Sequence, residues 1–505
     1  MLTGAERLRA VRQLYRGRSE ARTTADMAYA VYAIVLGIAV VAVPAIHALF
    51  QALAHPAVLP VLEAPASAHA VALLCGVGLA AFAAVGAVRG PALLSPFLLT
   101  VFANTDIDRH RTLRRPFVTA TVTLTTTVAV LAVLVGSVLV LAGTATAATG
   151  VWFTLAATAY GVLLSVVWLV GQSLGSPRAG TLAALISAAT LLTWVVPSTA
   201  VLAPWGWVGL SWPPGASPGW WPPALLGITA LVAAGFIPKL LNALRSPVLL
   251  EQAHRWQTAE IATGTADFAG ALATYRPKPR VGRAWRAVTR TRVVTRFFLR
   301  DLTGALRTPA RFAAGTAFLL LGGFVTALTY TPAEIPTWAP AAAGAALSYA
   351  ALGVFTDGLR HAAETAAAPP LYRYSTAGLY GLHAVLPTLW AIACTIIGLS
   401  LAPPGVDFGL LSTMGCFALF VMAARVYDST KGPLPPMLLT PIPTPAGDLS
   451  GLLVIAWQAD ALLIVTITTA AILTTTGGSA LAVAGLFLLA TMTMVALTRQ
   501  RLRNL

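Results

Sequence analysis

Arg276–Arg311 reads RPKPRVGRAWRAVTRTRVVTRFFLRDLTGALRTPAR, eleven Lys or Arg against the single acid Asp301, set in the middle of a chain made mostly of apolar runs. A segment so charged does not cross a bilayer. From Val294 the apolar residues Val294, Phe298, Leu302 and Leu306 recur every four positions, while Arg292, Arg296 and Arg300 occupy another face. That spacing predicts an amphipathic helix lying flat in the headgroup layer. Phe297, Phe298 and Leu299 would enter the acyl boundary, and each nearby Arg would gain about 1 kcal/mol from anionic lipid. Pro309 ends the helix, because its ring removes a backbone donor, and a spanning run follows. A basic cytosolic linker explains the charge equally well but not the four-residue stripe.

Outward from this stretch, the 505 residues are 57% hydrophobic and 10% charged, with a mean hydropathy of +0.78. Soluble domains carry ~25% charged residues, so the expected fold is an all-α polytopic membrane protein in the cell membrane. The net charge of +16 sits at the borders of the apolar runs, and no basic and aromatic groove module accompanies it. Nucleic acid is therefore not an expected partner. Cys75, Cys394 and Cys416 fall within apolar runs without CxxC spacing, so neither a disulfide framework nor a metal site is expected. Met1 to Asp26 is Arg-rich and lacks a signal peptide's apolar core and cleavage site, so the first span should be retained with the N-terminus cytoplasmic.

A helix needs ~20 mostly apolar residues to cross the hydrocarbon core. Twelve runs qualify as spans: Ala28 to Leu53, His69 to Val88, Val118 to Leu141, Val151 to Leu174, Gly180 to Pro197, Pro223 to Leu244, Phe312 to Tyr330, Ala339 to Phe355, Leu379 to Leu401, Gly409 to Ala424, Leu452 to Leu473 and Ala480 to Leu497. Pro44, Pro238 and Pro387 lie inside runs and should kink the helices without ending them. With both termini cytoplasmic, twelve crossings put all 33 Lys and Arg on or beside the cytoplasmic face, and leave only Glu63, Glu334 and Asp407 in outer loops. The layout is two six-helix halves, residues 1–244 and 312–505, joined by a basic cytoplasmic connector, 245–311. In each half a basic segment precedes the first span and a longer loop follows the second.

No GxxxxGK[ST], HExxH or GxGxxG motif occurs, so the chain is not expected to hydrolyse a nucleotide or act as an enzyme, nor to carry a cofactor of its own. Three cytoplasmic loops are long enough to be docking surfaces or solvated connectors. The first holds Thr105, Asp106, Asp108, Arg109 and Arg111, whose carboxylates could bind a divalent metal or, more in keeping with so many arginines, form ion pairs. The second holds Arg360, His361, Glu364 and Arg373, and the third, Asp428 to Asp448, is proline-rich. Asp460, with Gln458 nearby, is the acid placed well inside an apolar run, about 12 Å along a helix from Leu452. It is a candidate pathway residue or a carboxyl paired with a neighbouring helix. The threonines at 119–127 and 466–469 should bond carbonyls one turn back and serve packing. His47 and His383 read as core or interface residues. Trp205, Trp207, Trp212, Trp220 and Trp221 fit an interfacial belt or a shallow re-entrant segment.

The segment from Phe298 to Pro309, FLRDLTGALRTP, resembles the segment that leads into the membrane unit of type-2 ABC exporter permeases. That family commonly opens its six-span unit with an in-plane helix of the form Arg-Asp-Leu, a few residues, Arg, then Pro, here Arg300, Asp301, Leu302, Arg307 and Pro309. It also places a coupling helix in the loop between second and third spans. The resemblance implies two fused six-helix units, a separate ATPase present in two copies that binds ATP and Mg, and alternating access for a small-molecule or peptide cargo. The low density of intramembrane charge points to an amphipathic or lipid-like one. The segment before the first span, Leu8 to Arg22, lacks Arg-Asp-Leu and the proline, and Thr474 to Ser479 is too short for the structured outer loop that Pro204 to Pro222 could supply. The alternatives are a secondary transporter of the major facilitator type, also six plus six, and a membrane glycosyltransferase using Asp106 and Asp108.

Overall fold

Apart from a pair of two-residue strands, Pro443–Thr444 against Gly447–Asp448, the regular structure of the described residues is helical. The computed structural model describes residues 24–56, 58–103, 107–214, 219–265, 267–276, 279, 281–288, 292–330, 336–365, 374–402, 407–432, 434–440, 442–444, 447–448, 450–475 and 479–503. Thr105, Asp106 and Arg373 lie outside them. The chain divides into two compact units, Met1–Tyr275 and Arg276–Leu505.

In unit 1, α1 (Thr24–Gly37) passes through a π-helical turn at Ile38–Ala42 into α2 (Val43–Leu53). The cause is Pro44. It has no N–H to offer Val40, and its ring would strike that carbonyl, so the ladder widens one turn earlier. A short α3 (Leu59–Glu63) precedes α4 (Pro65–Val88), and α5 (Pro96–Ala103) lies in the loop that follows. Next come α6 (Arg109–Leu141), α7 (Ala147–Leu174), α8 (Ser176–Val195), the small α9 (Pro204–Leu210) and a pair, α10 (Trp221–Gly235) and α11 (Ile237–Ala243). Pro238 breaks that pair, which bends by 41°. The unit closes with α12 (Ser246–Gly264) and α13 (Phe268–Thr274).

Unit 2 opens with α14 (Val293–Leu306) and α15 (Pro309–Ala327). Then come α16 (Trp338–Leu352), α17 (Asp357–Glu364), α18 (Thr376–Ser400), α19 (Phe408–Ser429), α20 (Ser450–Thr475) and α21 (Ala480–Arg503). α16 and α17 are bent by 62°, whereas α18 runs on through Pro387 without a break.

Among the described residues nine helices are long and apolar enough to cross a membrane, and eleven if each bent pair is one span. The twelfth expected span is the α1–α2 run, which the π-helical turn divides into pieces of 14, 5 and 11 residues.

Lipid tails give little hydrophobic drive for helix association, so close packing must supply it, and small residues allow it. At the α4–α7 crossing a Cβ on Gly86 would lie 2.3 Å from the Trp168 carbonyl oxygen, and one on Gly171 would lie 2.1 Å from that of Ala83. The two backbones touch, so neither position accepts a side chain. Around these contacts unit 1 has a core of Leu139, Tyr160, Trp205, Val208 and Leu226 and a second, at one end, of Leu99, Leu113, Phe117, Leu241 and Leu249. Phe417, Phe487, Leu319 and Leu352 centre the core of unit 2.

Candidate functional site

Short links make successive spans antiparallel, and in each unit the arginines gather at one end. At this basic end of unit 2, α14, α17 and α18 meet. Asp301 of α14 and His383 of α18 are both buried, with side chains 8% and 3% exposed and Oδ2 to Nδ1 2.7 Å apart. Arg300 Nη1 stands 3.5 Å from His383 Nε2, and the Phe297 ring meets the imidazole edge-on at 4.9 Å. With a carboxylate at one ring nitrogen and a guanidinium at the other, the partners assign the proton to Nδ1. Nδ1–H then donates to Asp301, and Nε2 accepts from Arg300.

α17 sits on this pair at Gly358. A Cβ there would lie 2.2 Å from His383 Nδ1 and 2.8 Å from Asp301 Oδ2. The neighbouring Asp357 accepts from Arg311 Nη2 at 3.1 Å and from Arg276 Nη1 at 2.9 Å, and it lies in the first turn of α17, where the helix dipole favours an acid. Burial draws the Arg276 guanidinium below its ordinary value, and Asp357 opposes that. Arg360 and Glu364 pair at 3.1 Å on the exposed side of α17. Arg307 donates to the carbonyls of Gly282 and Trp285 at 3.2 and 2.8 Å, and Thr308 is non-helical before Pro309 starts α15. The predicted helix is therefore present, with Phe298, Leu302 and Leu306 half-buried and Val294 50% exposed. The face that grips the bundle carries Phe297, Arg300 and Asp301, and the apolar stripe did not reveal it.

A second group of charges occupies the same end. Lys431, its side chain 9% exposed, ion-pairs with Asp460 and stands 3.1 Å from Asp428. It also donates to the Trp457 carbonyl at 2.8 Å. Arg501 Nη2 lies 3.7 Å from Asp460 Oδ2, and its guanidinium stacks 3.6 Å over the Tyr427 ring. Arg425 lies 3.7 Å from Asp428, and Tyr349 Oη donates to Asp428 at 2.8 Å. Asp460 is thus brought against two cations, and the Gln458 carbonyl accepts from Lys431 at 3.4 Å.

Unit 1 solves the same problem with amides. Buried Gln172 of α7 and Gln252 of α12 join at 2.9 Å. Gln252 donates to the carbonyls of Gly86 and Ala87 at 3.1 and 3.2 Å and accepts from Gly90 N–H at 3.3 Å. Gln172 both donates to and accepts from the backbone of Ala92. Arg109 reaches Ser246 Oγ at 2.8 Å, and His110 N–H donates to Asn242 Oδ1 at 2.8 Å. The Arg89 guanidinium lies 3.3 Å over the Trp256 ring. Burial lowers it from its ordinary value, while Tyr275 and Glu260 pull the other way. Asp108 pairs with Arg111 at 3.7 Å, both more than half exposed.

Away from the basic end, an apolar cavity of about 430 Å3 lies between α2, α6 and α7, lined by Ile46, Phe50, Thr125, Ala129, Val133 and Thr158 among others. Its volume falls in the range of small-molecule sites, ~300–1,000 Å3. Thr119, Thr123 and Thr127 donate to carbonyls four residues back, as the sequence predicts, while the hydroxyls of Thr121 and Thr125 are buried without a partner. The tryptophan-rich loop folds α9 into the other end of unit 1. Trp205 and Trp212 are buried, and Trp212 Nε1 donates to the Leu62 carbonyl at 3.0 Å. Among the described residues no group of three His, Cys, Asp or Glu is placed to hold a metal.

Spans of this length, hydropathy and packing define a polytopic helical membrane protein. Comparison with protein-family models, with curated proteins and with solved structures found no match.

Proposed function

We propose that this chain is the membrane-spanning permease subunit of an ATP-binding cassette transporter, two fused six-helix units in the cell membrane with both termini and both basic ends cytoplasmic. It exports an amphipathic or lipid-like compound, driven by a separate ATPase in two copies that holds ATP and Mg. The observation that carries this reading is the join of α14, α17 and α18. A short helix bearing Arg300, Asp301 and Leu302, ended before Pro309, is stapled through Asp301–His383 to the seat of a second short helix in the loop after the next span pair. α5 holds the matching place in unit 1.

In this reading Asp108, Arg109, Arg111, Arg360 and Glu364, together with Thr105, Asp106 and Arg373 outside the described residues, meet the ATPase. Closure of the ATPase pair on ATP pushes α5 and α17. The apolar cavity beside Thr125 supports a lipid-like cargo, and Gln458 and Asp460 are the pathway residues proposed for unit 2.

Co-expression with candidate ATPases, followed by purification in mild detergent, should give a stable complex whose ATPase activity rises with amphipathic cargo and falls in Arg360→Glu. Transport that survives ATP depletion but collapses with an uncoupler would overturn the reading in favour of a secondary transporter. Metal-dependent turnover of a sugar donor by the isolated chain would identify a glycosyltransferase.

A further inference from the structure

We propose that Arg425 is the joint that ties the loop helix α17 to the carboxylate of Asp460, so that displacement of α17 and rearrangement of α20 are one event in unit 2. The inference stands on contacts within unit 2 and does not depend on what, if anything, docks on α17.

The last carbonyls of a helix have no partner within it. At the end of α16 the backbone N–H groups of Gly353, Val354 and Phe355 serve the carbonyls of Ala350, Ala351 and Leu352, and Arg425 of α19 adds Nε to the Tyr349 carbonyl at 2.8 Å and Nη2 to that of Ala350 at 3.4 Å. The guanidinium also stacks 3.7 Å over the Tyr349 ring. One residue further on, a Cβ on Gly353 would lie 2.9 Å from Arg425 Nη2, while from α15 Arg311 donates to the Gly353 carbonyl at 3.3 Å. Two arginines from two different spans therefore pin the 62° bend between α16 and α17.

Arg311 continues into Asp357 at the start of α17. Arg425 continues into Asp428, which lies 3.1 Å from Lys431, and Lys431 pairs with Asp460 on α20. Tyr349 serves both sides, its carbonyl bound by Arg425 and its hydroxyl donating to Asp428. Arg425 is 18% exposed and Lys431 9%, so water is a poor substitute for either one's partners. Lys431 is shared between two carboxylates and Asp460 between two cations. Contacts can therefore be exchanged along the row without stranding a charge, which is the property a two-position element needs.

The test is a double-mutant cycle on the purified full chain in detergent, read as thermal unfolding. Sites without shared partners give additive shifts. Asp357→Asn and Asp460→Asn should instead combine to less than the sum of their separate losses, by at least about 2 °C, and become additive in an Arg425→Met background. Additive losses in the native background would overturn the proposal. A second readout covers the case in which Asp460→Asn does not fold. His361→Cys on exposed α17, in a chain with Cys75, Cys394 and Cys416 replaced by Ala, is labelled with a maleimide. Lys431→Met should change the labelling rate several-fold. A rate that ignores Lys431 would sink the joint.

Discussion

The basic end of unit 1 is held by neutral amides and that of unit 2 by paired charges, although both tie the loop after a second span to other helices of the unit. In unit 1 the Gln172 and Gln252 amides have defined donors and acceptors, all of them engaged with one another and with backbone groups of residues 86–92. Such a clamp is indifferent to salt, and moving it strands buried polar groups. In unit 2, Asp357, Asp428 and Asp460 each face two cations. A charge with two partners can lean toward either. One end is fixed by groups with a single set of partners, and the other by charges whose partners can be exchanged.

The comparison breaks most directly at Lys431. Lys431→Met leaves Asp428 and Asp460 short of a buried cation, a loss of about 3–5 kcal/mol, and should lower the unfolding temperature by about 10 °C. If scanning fluorimetry finds no fall, the charged row does not hold unit 2. The matching cut in unit 1, Gln252→Leu, strands the partners of four hydrogen bonds and should cost about 2–3 kcal/mol, with its unfolding shift unchanged between low and high salt. A salt-dependent shift would erase the distinction between the two ends.

Gly358→Ala presses a methyl into the His383–Asp301 pair and should cost about 1–3 kcal/mol. Hydrogen exchange should then show α17 and α14 loosened together and α12 untouched. The smallest effect belongs to Arg360→Ala, which removes an exposed pair worth about 0.3–0.5 kcal/mol. Its unfolding temperature should stay within a degree of the native chain, while, on the proposed function, activity with a docked ATPase falls, and normal coupled activity would remove α17 from the proposed docking surface.

Much of this architecture is legible in the sequence, and the unread parts share one cause. Long apolar runs mark the candidate spans, and Pro309 marks where a helix stops, because those signals are carried by a few adjacent residues, whereas Pro238 reads as a kink and instead breaks its helix. Pro44 announces a disturbance in the first span, though the π-helical form it takes depends on the ladder preceding it. The amphipathic stripe found α14 but oriented it by Val294 and Phe298, whereas the decisive contact is made by Asp301, the residue that broke the charge pattern. Asp460 stood out as an acid in an apolar run. Its cations could not be named, since Lys431 reads as a loop residue and Arg501 as a terminal one. Gln172 gave a weaker signal of the same kind, an amide near the end of a predicted span, and its counterpart lies 80 residues away.

The sequence by itself determined that this is a polytopic helical membrane protein and which runs are apolar enough to cross, because transfer of a segment from water to lipid depends on that segment's own composition. Only the tertiary structure decided which charges meet. His383 and Asp301 are 82 residues apart along the chain, and a buried ionic or hydrogen-bonded pair exists only where packing brings two groups within about 3 Å. Periodicity and hydropathy mark each apolar helix but carry no record of its rotation about its own axis, and that rotation chose the partners.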